Sequence, residues 1–283
     1  MAHHTELLII DAQNDFCDLP DNWCAVDPVT GQPQRPALPV PGAHADLLRL
    51  AAFISAVGER ITGITVTLDS HHRHDIAHPP YWRQGDGAAV TPFTPITAAQ
   101  VRAGAYTPAV PAELPRSLAY LDALEASGRY TLMVWPLHCQ LGSWGHGLHP
   151  AVLAACNAWE DRHHQPVRVV DKGSYPWSEH YSALQAEVPD AGEPATQLNQ
   201  ALLQRLDSAD TLLVAGQASS HCVKATVEHL VQHLPSGRPG RLLLLTDCMS
   251  PVAGFETQAQ AFLAAMRALG VRCLPQAQAA GVL

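Results

Sequence analysis

Asp11, Asp69, His138, Lys172 and Cys222 each lie at or just past the end of a short apolar run. The runs cover roughly residues 6–10, 61–68, 130–135, 166–170 and 211–215. A carboxylate, an amine and a thiol brought together suit nucleophilic catalysis. The carboxylate moves the proton, the ammonium steadies the thiolate, and the thiolate attacks. Asp11 closes the first run in IIDAQNDF, Lys172 closes the fourth in VVDKGSY, and Cys222 lies in GQASSHCVKAT after the fifth. Asp171, beside Lys172, should point to the opposite side of its strand. Residues 222–233 have helical spacing. A thiol at a helix N-terminus faces the positive end of the peptide dipoles, which predicts a lowered pKa. The unpaired N–H groups there can hold an oxyanion. The other cysteines read as small buried hydrophobes.

A second constellation suits a divalent metal. DSHHRHDIAH (69–78) carries Asp69, His71, His72, His74, Asp75 and His78. Asp69 and His71 form an Asp-x-His pair at a strand end, and His138 in WPLHC follows the next strand. One carboxylate and two imidazoles leave positions open for water or substrate. The same donors suit zinc, manganese and iron, so the spacing does not choose among them. His72 and His74 read as solvated loop residues.

These residues need a scaffold that gathers strand ends. Strands at 6–11, 60–69, 130–136, 166–172, 211–216 and 241–247 alternate with helical spacing over 43–58, 114–127, 196–206, 222–233 and 256–268. Residues 271–275 are a last extended piece. The alternation predicts an α/β fold of three layers, with helices on both faces of a mainly parallel six-stranded sheet. In such a sheet the carboxyl ends share one edge, so the five residues converge. Residues 17–42 and 79–112 are rich in Pro and Gly and read as long insertions within a single domain spanning 1–283. Loops of that length commonly serve as lids or oligomer contacts.

Composition excludes several classes. Of 283 residues, 47% are hydrophobic, enough for a substantial core. The formal charge of −9 argues against nucleic acid or an anionic membrane as partner. No apolar run approaches the about 18 residues that span a bilayer. The N-terminus runs straight into the first strand without a cleavable signal pattern, and the seven cysteines show no CxxC pairing. Both features predict reduced thiols in the cytoplasm.

Together the motifs resemble those of the isochorismatase-like cysteine hydrolases, and within them the nicotinamidases, over about residues 6–275. IIDAQNDFC is similar to the first-strand motif and implies Asp11 as acid/base. TLDSHH and MVWPLHC imply Asp69, His71 and His138 as ligands to a divalent metal, zinc before manganese or iron. VVDKG implies Lys172 as the catalytic lysine, and VAGQASSHCVKAT implies Cys222 as nucleophile. The resemblance further implies a cis peptide before Ala218, an oxyanion hole from the Ala218 and Cys222 amides, and a ring clamp of Phe16 and Trp135. It implies a small-molecule amide substrate, nicotinamide first, and a homo-oligomer, dimer or tetramer. A carbamoyl, ureido or maleamate-type substrate is the alternative within the same chemistry. Hydrolysis by a metal-bound hydroxide, vinyl-ether hydrolysis and a non-catalytic metal-binding domain are the others, and Cys222 argues against the vinyl-ether reaction. Two departures stand out. Asp75 occupies the position, six after Asp69, where nicotinamidases often carry a histidine, with His78 three further on. The insertion at 79–112 is long, and is expected near the pocket.

Overall fold

The computed structural model describes residues 3–283. Along the chain run β1 (Thr5–Ile10), α1 (Ala43–Val57), β2 (Gly63–Asp69), β3 (Trp82–Gln84), β4 (Thr94–Ile96), α2 (Ala98–Arg102), β5 (Tyr106–Pro108), α3 (Leu114–Ser127) and β6 (Leu132–Val134). Then come α4 (Pro150–His163), β7 (Arg168–Lys172), α5 (Gln200–Asp207), β8 (Thr211–Gly216), α6 (Cys222–His233), β9 (Leu242–Leu245), α7 (Glu256–Ala268), β10 (Arg272–Leu274) and α8 (Gln276–Ala280). Six strands form one parallel sheet in the order β10-β9-β8-β1-β2-β7. Helices cover it in two groups, α1 with α4 and α8, and α6 with α7.

The centre of the sheet is the most apolar part of the chain. Every residue of β1 and β8 is buried, as is the Leu242–Leu245 run of β9. Continuous burial on both faces is what a parallel sheet covered on both sides requires. Glu6, wholly buried within β1, is not left unpaired. Arg205 reaches both its carboxylate oxygens at 3.1 Å and Thr65 donates to it at 2.7 Å.

One expected strand lies elsewhere. The run at 130–136 becomes β6, which pairs antiparallel with β4 in a separate two-stranded sheet. Its burial explains why: Leu132 and Val134 are buried while Met133 between them is only partly so. Such alternation suits a one-sided sheet, whereas a central parallel strand is buried on both faces. The sixth place in the main sheet is taken by β10, from the extended piece at 271–275.

The residues of the 79–112 insertion are also not an irregular loop. They form β3, β4, α2 and β5, and with α3 and β6 they build a second hydrophobic core around Tyr81, Trp82, Ile96, Val101, Leu121 and Leu124. Residues 17–42, by contrast, run mostly as irregular chain, with one short turn of helix at Asp21–Trp23.

Gly216 closes β8 at φ 120°, and a Cβ there would stand 1.9 Å from the Ile10 carbonyl oxygen. Both the backbone angle and the close approach to β1 demand glycine. Gly216→Ala is expected to cost about 2 kcal/mol or more and to lower Tm by several degrees. A thermal melt matching wild type would show that the two strand ends are not packed this tightly.

Candidate active site and metal centre

The carboxyl ends of β1, β2, β7 and β8 share one edge, and the chemistry gathers there. Asp11 follows β1 directly, Asp69 and Lys172 end β2 and β7 opposite each other, and Cys222 opens α6 a short turn after β8. Asp171, next to Lys172, is exposed and accepts from Ser70 at 3.3 Å on the far side.

Lys172 is the hub. Its ammonium lies 2.9 Å from Asp11 Oδ2, 2.8 Å from Asp69 Oδ1, 3.0 Å from the His180 carbonyl and 3.6 Å from Cys222 Sγ. Lysine, both aspartates and the cysteine are all buried. Burial works against the Lys172 charge, but Asp11, Asp69 and Cys222 outweigh it and hold its pKa well above the usual range. Asp11 goes the other way: burial raises its carboxyl although Lys172 opposes the shift. Asp11 Oδ1 accepts from Thr67 at 2.5 Å, while Oδ2 faces the ammonium without a well-aligned hydrogen bond. One carboxylate oxygen is thus fixed and the other is free to take a proton. The Asp11 backbone is held at φ 44° by its N–H on Thr67. Positive φ is uncommon outside glycine, though aspartate tolerates it better than most.

The thiol departs from expectation. Burial pushes Cys222 well above the ordinary thiol range, and Lys172 only partly offsets this against Asp11 and Asp69. The helix N-terminus therefore does not make a resting thiolate, because desolvation and two carboxylates outweigh the dipole. Instead the thiol keeps its proton, a state that burial favours first and the neighbouring Asp11 and Asp69 carboxylates reinforce.

The loop before Cys222 is stapled in place. Gln217 N–H donates to Ile10, Ser219 N–H to Ser250, and Val252 N–H to Ser220 Oγ. The Gln217–Ala218 peptide is cis. Among the described residues, the Ala218 and Cys222 N–H groups donate to no protein acceptor. Two unspent donors thus lie beside the sulfur.

Behind this set, His71, His78 and His138 form a buried cluster suited to a divalent metal such as zinc. Each uses Nδ1 elsewhere: His71 on Asp75 at 3.0 Å, His78 on the His72 carbonyl at 3.2 Å, His138 on the Pro136 carbonyl at 2.8 Å. An imidazole whose Nδ1 donates can offer its Nε2 lone pair to a metal; His78 Nε2 also faces His138 Nδ1 at 3.2 Å. Asp69 Oδ2 stands 3.0 Å from His71 Nε2 and 3.3 Å from His138 Nε2. Donors at zinc bond lengths of about 2.0–2.1 Å in a tetrahedron are spaced by about 3.3 Å, so these two Asp69 spacings suit a shared ion. Burial and the neighbouring His71 and His138 hold His78 down at about 2, neutral as a ligand must be. Asp75, named from the sequence as a further ligand candidate, meets His71 Nδ1 at 3.0 Å. His78, the other candidate, lies within the cluster. His72 is exposed, and His74 pairs with Glu113 at 3.1 Å away from the cluster.

A narrow pocket opens onto these groups, lined among others by Phe16, Trp135, His138, Ala218 and Cys222. Trp135 donates its indole N–H to Tyr181 at 3.0 Å, and the edge of Phe93 meets Trp135 with ring centres 5.9 Å apart.

Solved structures give the arrangement a context. Yeast nicotinamidase Pnc1p bound to nicotinaldehyde is 18% identical with a TM-score of 0.62, covering 96% of this chain and 99% of its own. Pyrazinamidase of Pyrococcus horikoshii in complex with zinc is 17% identical, TM-score 0.53, covering 96% and 99%. An isochorismatase-like hydrolase from Alkaliphilus metalliredigens is 14% identical, TM-score 0.53, covering 99% and 98%. The chain has the isochorismatase-like hydrolase fold. Neither a family model nor a curated protein sequence matches it.

Within that fold, Asp11, Lys172 and Cys222 lie together, Asp69 joins them to the histidines, and Phe16 and Trp135 line the same pocket. Several supporting residues were not evident in the sequence. The Gln13 amide clamps the Asp69 backbone, donating to its carbonyl and accepting its N–H, each at 2.8 Å. Asp15 accepts the Cys139 N–H at 2.7 Å and the Ala37 N–H at 2.9 Å, tying the 17–42 segment to the turn carrying His138. Glu179, Tyr181 and His221 add walls to the pocket. The signal for Gln13 and Asp15 was the density of polar groups just after the apolar Leu7–Ile10 run; Glu179 and Tyr181 lie in a stretch without regular structure and carried none.

Metal retention tests the cluster. After dialysis of zinc-loaded protein, His78→Ala and His138→Ala should lose most of their zinc, while His72→Ala keeps it. Asp75→Asn should bind about 10–100-fold more weakly through loss of His71 orientation. Equal retention by the His72 and His78 variants would remove His78 from the centre.

Proposed function

We propose that the protein is a cysteine amidohydrolase that releases ammonia from a small planar carboxamide, with nicotinamide as the first candidate. The observation that carries this is the joint position of Asp11, Lys172 and the Cys222 sulfur, with Cys222 itself lining a pocket. Nicotinamidases and a pyrazinamidase among the similar folds support the carboxamide class.

Asp11 takes the Cys222 proton, and the sulfur attacks the amide carbon. The carbonyl electrons move to oxygen, where the Ala218 and Cys222 amides receive them. Asp11 returns the proton to nitrogen as the C–N bond breaks, leaving ammonia and a thioester. Asp11 then takes a proton from water, which attacks the thioester carbon. The C–S bond breaks, the carboxylic acid leaves and the sulfur recovers its proton. Lys172 stabilises the thiolate and balances Asp11 throughout. Phe16 and Trp135 hold the flat substrate by its faces. Asp69, His71, His78 and His138 would hold the divalent metal, which supplies a Lewis-acidic anchor for a ring nitrogen or a water.

Cys222→Ala should abolish ammonia release from nicotinamide while zinc content stays that of wild type. Asp11→Asn should lower kcat by about 10²–10⁴-fold. Substantial turnover in Cys222→Ala that is lost on chelation would replace the thioester route with metal-dependent hydrolysis. Ammonia released from a ureide or maleamate panel instead of nicotinamide, and still dependent on Cys222, would keep the mechanism and change the substrate.

A further inference from the structure

A second cavity, of about 330 Å³ and open to solvent, backs onto the first. Tyr181 and His221 line both and form the partition between them. The His221 ring is immobilised there. It packs against Tyr181, Trp135 and Phe255 with ring centres 4.6–5.3 Å apart, and its Nδ1 meets Ser220 Oγ at 2.9 Å.

The walls of this second cavity have their own chemistry. Tyr130 and Phe255 present aromatic surface, and Arg129 and Lys224 present cations. Both cations also lie over the Tyr130 ring, at 5.6 and 4.8 Å from its centre. Glu228 is shared between them, 3.3 Å from Arg129 and 3.2 Å from Lys224. The other carboxylate in reach of Arg129, Glu187, is 3.8 Å away and buried, and burial pushes it up to about 7. His229, which also meets Arg129, is held down at about 4 by burial and stays neutral. Two cations thus face Glu228 and the buried Glu187, whose charge burial disfavours. In a chain of net charge −9 this is a local cluster of cations beside flat apolar surface.

We propose that this cavity is a second ligand site, separate from the reaction pocket, for a small aromatic monocarboxylate. The ring lies against Tyr130 and Phe255, and the carboxylate meets Arg129 and Lys224 as a charge-assisted pair. A neutral ring of the same shape lacks that pairing and binds more weakly.

Benzoate is a suitable probe, with benzamide as its neutral counterpart, in calorimetric titrations of the full-length protein. Benzoate should bind at least about tenfold more tightly than benzamide, and Lys224→Met should weaken it about tenfold, the loss expected for one charged hydrogen bond. Thr131→Trp, a replacement at an exposed lining residue, should block the site without touching an ion pair. Phe16→Ala, in the reaction pocket, should leave benzoate binding unchanged. Thermal melts confirm that each variant is folded; if Lys224→Met is not, Thr131→Trp alone decides. Absence of benzoate binding would overturn the proposal. So would binding that survives Lys224→Met and Thr131→Trp but is lost in Phe16→Ala, since the ligand would then sit beside Cys222. Ammonia release from nicotinamide, measured on the same preparations, reports the amidase reading separately and does not bear on the benzoate result.

Discussion

The Lys172 ammonium is the contact on which the rest of the site depends. It is buried, and a buried charge is stable only when paired. Its partners are two buried aspartates that serve different ends, Asp11 beside the sulfur and Asp69 among the histidines. The other Asp69 oxygen faces the His71 and His138 Nε2 atoms. A divalent cation held there would share Asp69 with Lys172, so the two clusters form one electrostatic unit joined through the Lys172 ammonium and this carboxylate.

The scaffold exists to hold that unit against its tendency to spread. Thr67 fixes one oxygen of Asp11, and Gln13 fixes the Asp69 backbone from the adjacent strand end. Two residues sit at positive φ next to the chemistry, Asp11 at 44° and Cys139 at 46°, each with its N–H tied down, on Thr67 and Asp15 respectively. Strain of this kind persists only where neighbours over-determine it. Gly216 lets β8 end against β1 closely enough to bring the Cys222 loop to Asp11.

Much of this was legible in the sequence because period and position carry it. The helical spacing at 114–127, 222–233 and 256–268 coincides with α3, α6 and α7, where apolar residues recur on one face. The strand-end placement of Asp11, Asp69, Lys172 and Cys222 follows from a parallel sheet alone. α4 was harder to see. Its buried positions Val152, Ala155, Cys156 and Trp159 have helical spacing, but two are small and weaken the pattern. The membership of β6 in a second sheet was not legible, since a short apolar run looks alike in either setting. Nor was the rise in the Cys222 pKa, which comes from burial and from carboxylates distant in sequence. The packing of Tyr81 and Trp82 within a Pro- and Gly-rich stretch likewise depends on partners in α3 and β6.

The second core carries more than its own weight. β6 belongs to it, and the chain leaving β6 supplies Trp135 to the pocket wall and His138 to the metal cluster. Asp11, Lys172 and Cys222 hang instead from the main sheet. The centre is therefore built where the two cores meet: His138 follows a strand of the smaller one, while Trp135 packs into the larger and His71 follows its β2 strand.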